Sequence, residues 1–210
     1  GDTNESYLLD IRGGTLSLSG MWSQGTGSSD EELQEILGSA TEPLLTIREG
    51  AAAIGSRATI AQANETSYAI TNPVADVATI SAEFECTPSD ISNLTFALAQ
   101  GVQLTAGASI AHGSLGALSS VDNAASSANG AAATLHVPTN TVNGNTTIKV
   151  QHSANDSTWA DLISFTAVGS AGLTSEIKAV TGTVNRYLRV TASTAGSSGS
   201  ITFMVAAARF

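Results

Sequence analysis

Few residues in this chain are of types that do chemistry, and their spacing keeps them apart. The three histidines, His112, His136 and His152, are 24 and 16 residues apart. No H-x-x-x-H or C-x-x-C spacing brings ligands together, so no metal site is expected. His136 and His152 fall in or beside expected strands and read as hydrogen-bonded edge residues. The single cysteine, Cys86, leaves no intrachain disulfide and no thiolate zinc cluster. Serine is plentiful, but no G-x-S-x-G elbow presents one; GSSGS at Gly196–Ser200 reads as a hairpin turn. Neither a G-x-x-x-x-G-K phosphate loop nor a G-x-G-x-x-G fingerprint is present. Glu83 and Glu85 form the one suggestive carboxylate pair. They are two apart on one strand, with Thr and Ser neighbours and no partner base, whereas glycosidase carboxylates face each other across a cleft. They read as a solvated acidic strand face. No catalytic residue and no cofactor is expected, and the chain does not read as an enzyme.

The elements that must position these residues read as mainly β. Of 210 residues, 42% are hydrophobic and only 12% charged, enough apolar content to build a core and too much for a disordered acidic tail. Residues 1–90 hold 14 acidic and 3 basic residues, net −11, while residues 91–210 hold 4 and 5, net +1. Such a balance disfavours a phosphate-binding surface, which needs clustered Lys and Arg. No apolar run reaches the ~18 residues of a membrane span, so no membrane insertion is expected. The start, GDTNESYLLD, lacks a basic-then-apolar leader pattern, so the sequons at Asn4, Asn64, Asn93, Asn145 and Asn155 carry little meaning.

Three modules are expected. In residues 1–90, GTLSLSGMW at 14–22 alternates with the period of a half-buried strand. A helix follows: Ser29 and Glu32 form a capping box, Asp30–Glu32 suit the positive end of the dipole, and Gly38 suits the C-terminal cap. Leu33, Ile36 and Leu37 make its apolar face. LLTIRE, SRATIAQA and TSYAIT read as strands, with a turn at Gly50–Gly55. Residues 77–87 alternate again, placing Ala78, Ile80, Ala82, Phe84 and Cys86 on an apolar face and Thr79, Ser81, Glu83 and Glu85 on the other. Cys86 thus falls with the core as a small hydrophobe. Residues 91–130, rich in Ala, Gly and Ser, read as a linker or edge segment. Residues 131–210 carry about six strands with turn residues between them, the signature of a sandwich or jelly roll. Asn143–Gly144 is a hairpin signal, and SANDS at 153–157 a further turn. Trp159 and Tyr187 read as anchors of this domain's core, with ligand stacking as the alternative.

TSYAITNPVADVATISAEFECT, preceded by GGTLSLSGMW and the capped helix, resembles the major tail tube proteins of long-tailed bacteriophages. Their closing strand follows the pattern ETSYE-(V/I)-x-x-P-V-x-D-V-V-T-(F/I)-S-A-E-F, which here runs from Glu65 to Phe84. TIKVQHSANDSTWADLISFTA, VTGTVNRYLRVTAS and SITFMVAAARF resemble the C-terminal appendage found on such proteins in many actinobacterial phages, and also galactose-binding jelly rolls. Family members carry some tens of residues before the equivalent of Tyr7, so the tube domain is expected to lack its first strands.

The resemblance implies a virion protein of the phage tail, assembled in the host cytoplasm. It implies stacked, usually hexameric, rings whose inner strands close into a barrel around a DNA channel. Partners would be copies of itself, other tail proteins, DNA in transit without specific binding, and host-surface glycans at the appendage. Thr79, Ser81, Glu83 and Glu85 would face the lumen, where like charge keeps phosphates off the wall. Ile80 and Phe84 would pack against Leu33, Ile36 and Leu37, and Thr15, Ser17 and Ser19 would form a second candidate wall. The alternatives are a carbohydrate-binding module protein and a capsid decoration protein.

Overall fold

A computed structural model describes residues 14–23, 29–37, 42–50, 53–74, 76–91 and 93–210, with the backbone alone for Ser29, Glu32, Ser89 and Asp90. The protein is mainly β. In chain order the elements are β1 (Gly14–Met21), α1 (Ser29–Ile36), β2 (Leu44–Arg48), β3 (Arg57–Thr71), β4 (Thr79–Cys86), β5 (Ser89–Ile91), β6 (Leu94–Phe96) and β7 (Leu98–Gln103). Then follow β8 (Ser109–Ala111), a single 3-10 turn (His112–Ser114), β9 (Val121–Asp122), β10 (Ala131–Asn140), β11 (Thr146–Ser153), β12 (Ala160–Ser164), β13 (Thr174–Val180), β14 (Tyr187–Thr194) and β15 (Ser200–Arg209).

The chain forms two compact units. Unit 1 takes residues 1–43, 62–89 and 96–98; unit 2 takes 44–61, 90–95 and 99–210. These bounds differ from the three modules expected from composition. Residues 99–130 supply β7, β8 and β9 to unit 2 rather than bridging two modules. Their small side chains are a packing requirement: a Cβ on Gly101 would lie 2.0 Å from the Ala207 carbonyl oxygen, so β7 approaches β15 only with glycine there.

In unit 1, β4 is flanked by β1 on one side and β3 on the other, all antiparallel. SRATIAQA and TSYAIT, expected as separate strands, are one strand, β3. A bulge between Glu65 and Ser67 absorbs one residue and restores the inward–outward alternation beyond it. β4 alternates without fault, with Ile80, Ala82, Phe84 and Cys86 buried and the residues between them exposed. Helix α1 is tied to β3 where the Tyr68 hydroxyl donates to Asp30 Oδ1, which also accepts from Gln34 Nε2 at 3.1 Å. The capping-box side chains of Ser29 and Glu32, and Gly38, lie outside the described residues.

Unit 2 is a two-sheet sandwich. One sheet has the order β7-β15-β10-β13, with β8 also on β15; the other has β12-β11-β14-β9. Alternate residues of each point into a shared core, including Ile148, Val150, Leu188 and Val190 from one side and Leu135, Ile201, Phe203 and Val205 from the other. Each such side chain contributes on the order of 1.5–3 kcal/mol on burial.

Two expected hairpins are instead crossings between sheets. β10 and β11 lie in different sheets, as do β14 and β15, so the loops at 141–145 and 195–199 carry the chain across the sandwich side by side. Asn143 and Gly144 serve that crossing. Asn143 Oδ1 accepts from Ser197 N and Ser198 N at 2.8 and 3.1 Å. A Cβ on Gly144 would meet the Gly196 backbone at 2.4 Å. The SANDS segment is a true β11–β12 turn, with Asn155 Oδ1 accepting from Ser157 N and Thr158 N.

Candidate functional site

The β1-β4-β3 sheet of unit 1 presents a mainly polar face, wholly polar around Glu83 and Glu85. In antiparallel pairs, residues directly opposite share a face. Glu83 stands between Ser17 and Ser67, Glu85 between Thr15 and Asn64, and Ser81 between Ser19 and Ala69. Thr79 continues the row between Met21 and Thr71. All four expected β4 residues, Thr79, Ser81, Glu83 and Glu85, are exposed. Thr15, Ser17 and Ser19, read from sequence as a second candidate wall, belong to this same face because β1 pairs with β4 in register.

The pairing adds residues that the sequence did not single out. Asn64 donates to Glu42 Oε1 at 3.4 Å, and the Thr87 hydroxyl to Glu42 Oε2 at 2.8 Å, which fixes a third carboxylate beside the Glu85 end. Glu42 is far from Asn64 and Thr87 in sequence, so only the fold joins them. The charge of unit 1 is one-sided. Among its described residues there is no Lys or Arg, and every ion pair among the described residues lies in unit 2.

The opposite face is apolar. Phe84 and Ile80 are buried there, and Leu33 of α1 lines a groove with Leu18, Gly20, Met21 and Ile80. Ile36 is half-buried, whereas Leu37, expected on the packed helix face, is 43% exposed where the helix ends. Glu65 faces inward opposite Phe84, is 7% exposed, and has no hydrogen-bond partner for either carboxylate oxygen. Burial raises its pKa above the ordinary glutamate value, and burial likewise raises that of the Cys86 thiol.

Unit 1 also exposes large apolar side chains. Leu18, Met21, Leu37, Ile70, Val74, Val77 and Leu98 all belong to it, against Leu173 alone in unit 2, among the described residues. Among the described residues, strand β1 has a ladder partner, β4, on one side only.

In unit 2, Trp159 does not enter the core cluster. It is half-buried just ahead of β12, and the Arg189 guanidinium lies over its ring at 4.1 Å. Arg189 Nε donates to Gln151 Oε1, Gln151 Nε2 to Asp161 Oδ1, and Lys149 Nζ to Asp161 Oδ2, a chain of contacts across the outward face of β12-β11-β14. Tyr187, also half-buried, carries Arg186 over its ring at 4.9 Å. His136 Nε2 meets Thr46 Oγ1 at 2.9 Å and its Nδ1 meets Ser175 Oγ at 3.1 Å; His152 Nδ1 accepts from Asn185 N. Burial lowers both imidazole pKa values. Among the described residues, no group of three or more His, Cys, Asp or Glu side chains is placed to hold a metal ion, and no helix is long and apolar enough to cross a membrane. Comparison with protein-family models, with curated proteins and with solved structures finds no match to this chain.

Proposed function

We propose that this chain is a structural virion protein, the tube-forming subunit of a long-tailed phage tail. Copies assemble into stacked rings, and the polar face of β1-β4-β3 lines a channel for DNA. The observation that carries this reading is that face: hydroxyls and amides flank Glu83 and Glu85 on both sides, with no described Lys or Arg in unit 1. Small hydroxyl side chains are hydrated and short, and fixed negative charge repels phosphates, so DNA slides past without being held. The side of β1 that has no ladder partner among the described residues, and the exposed Leu18 and Met21 on that strand, support self-assembly, because an unpaired edge is a template for a further strand.

Negative-stain electron microscopy of the concentrated protein tests the proposal directly. Hollow tubes or rings with an axial pore are expected. Solid or capped particles, or a species that stays monomeric at high concentration, would count against it.

A carbohydrate-binding role is the second reading, and the Trp159–Arg189–Gln151–Asp161 surface favours it, since sugars pair with an aromatic ring beside planar polar groups. A glycan array separates the two. Binding by the monomer that is lost in Trp159→Ala would support this second reading.

A further inference from the structure

Unit 2 contains a cavity of about 250 Å³ lined by Arg57, Arg209, Gln100 and Asn123 together with Gly101 and Ala207. Its two guanidinium groups differ from the other well-placed cations of the unit. Lys149, Lys178 and Arg186 each have a carboxylate oxygen at 3.0 Å or closer, and Arg189 is committed to Trp159 and Gln151. Among the described residues, Arg57 has only Glu49 as a carboxylate partner, at 3.8 Å, with both side chains largely in solvent. Arg209 has no carboxylate within 4.0 Å among the described residues. Its Nη1 and Nη2 donate instead to the Ala125 and Asn123 carbonyls, which fix the side chain without neutralising it.

The cavity wall is rigid as well as cationic. Gly101 lies too close to the Ala207 backbone for any side chain to be added there. Asn123 is held by its own amide, which donates to the Val121 and Arg186 carbonyls. A guanidinium presents a planar set of donors that matches the two oxygens of a carboxylate or the oxygens of a phosphate. Carboxamides such as Gln100 both donate and accept, which suits hydroxyls beside such an anion. The volume is below the range of roughly 300–1,000 Å³ typical of drug-sized ligand sites.

We propose that this cavity binds a small oxyanion, a carboxylate or phosphate carried on a polar molecule no larger than a monosaccharide. None of its lining residues belongs to the polar face of unit 1 or to the Trp159 surface.

The test is isothermal titration of the full chain with glucuronate, glucose 6-phosphate, inorganic phosphate and neutral glucose at matched ionic strength. Saturable millimolar binding of at least one anion, with glucose silent, is expected. Glucuronate alone assigns a sugar acid, glucose 6-phosphate a phosphosugar, and inorganic phosphate alone the free ion. Arg57→Ala should weaken the bound anion by about tenfold or more, the loss of one charge-assisted contact, and should leave the melting temperature unchanged because Arg57 is largely exposed. Arg209→Lys keeps the charge but not the planar fork, and should weaken binding as well. Because Arg209 also pins the loop at 123–125, the Arg57 variant decides the matter if the Arg209 variant unfolds. Absence of binding by every anion, equal binding of glucose, or undiminished binding by Arg57→Ala would each overturn the proposal.

Discussion

Replacing Glu65 should stabilise the protein, and most at neutral pH. Its carboxylate is 7% exposed, both oxygens lack partners, and it stands opposite the buried Phe84 ring on the apolar face of unit 1. No described Lys or Arg of unit 1 is available to it, and the neighbouring Tyr68 phenol and Asp30 bring no positive charge. Leaving a buried polar group unsatisfied costs about 1–3 kcal/mol, and more when it is charged. Glu65→Leu removes that group beside Phe84, so a gain of about 2 kcal/mol is expected. At ~2–4 °C per kcal/mol for a chain of this length, the melting temperature should rise by about 4–8 °C. The sign of the pH dependence follows from the raised pKa. The folded state holds this proton more tightly than the unfolded chain, so the wild-type protein is favoured below the ordinary value of 4.5 and loses stability as pH climbs from there through the folded value. Glu65→Gln keeps a polar, uncharged group, so its advantage over wild type should open across that window and vanish below it. Thermal melts and urea unfolding of wild type, Glu65→Gln and Glu65→Leu from acid to neutral pH provide the assay. If Glu65→Leu melts at or below wild type at neutral pH, and Glu65→Gln shows no widening gap, then Glu65 has a partner and the reasoning fails.

Gly101→Ala should cost about 3 kcal/mol or more, at the top of the overpacking range, because the atoms met are Ala207 backbone and cannot rotate away; chemical denaturation reads it. By carboxyl NMR, Asp122 should titrate at about 2, held down by the two Arg186 hydrogen bonds and the Ala124 amide, and should return towards 3.8 in Arg186→Gln. Met21→Asp and Val74→Asp should abolish self-association in sedimentation experiments while leaving the melting temperature nearly unchanged, since both side chains are exposed, at 75% and 100%. Self-association of the wild type should strengthen with added salt, because copies of an acidic unit 1 repel one another until screened.

How much was legible in the sequence depended on whether the signal was local. β4 is readable because each of its eight residues alternates without a gap, and Glu83 and Glu85 follow from that period alone. The helix announces itself by its apolar spacing over Leu33 and Ile36. Where a position answers to a distant segment, local signals mislead. Asn143–Gly144 carries the residue types of a tight turn, yet Gly144 is glycine because Gly196 passes beside it, and Asn143 caps the loop at 197–198. The Ala- and Gly-rich stretch before residue 130 looks like a linker for the same reason: close strand approach demands small side chains, as at Gly101, and small side chains leave little hydrophobic periodicity to read. Arg57 and Arg209 are separated by most of the chain, so no spacing could have linked them.

The two units leave different problems unsolved by their own residues. Among the described residues, unit 2 buries the branched side chains of two facing sheets, holds three close ion pairs and exposes one large apolar side chain. Among its described residues, unit 1 keeps a buried carboxylate unsatisfied, carries no Lys or Arg, pairs β1 on one side only, and exposes seven large apolar side chains. Solubility as a monomer would select against the apolar exposure and the open edge together. Their combination makes sense when further chains cover the edge, because strand addition satisfies backbone groups while Leu18 and Met21 of β1 leave water. Negative charge on the remaining polar face then limits which surfaces can meet, since two such faces repel. On the proposed reading, assembly would proceed edge to edge and leave the Glu83–Glu85 face in solvent, the arrangement that a channel wall requires.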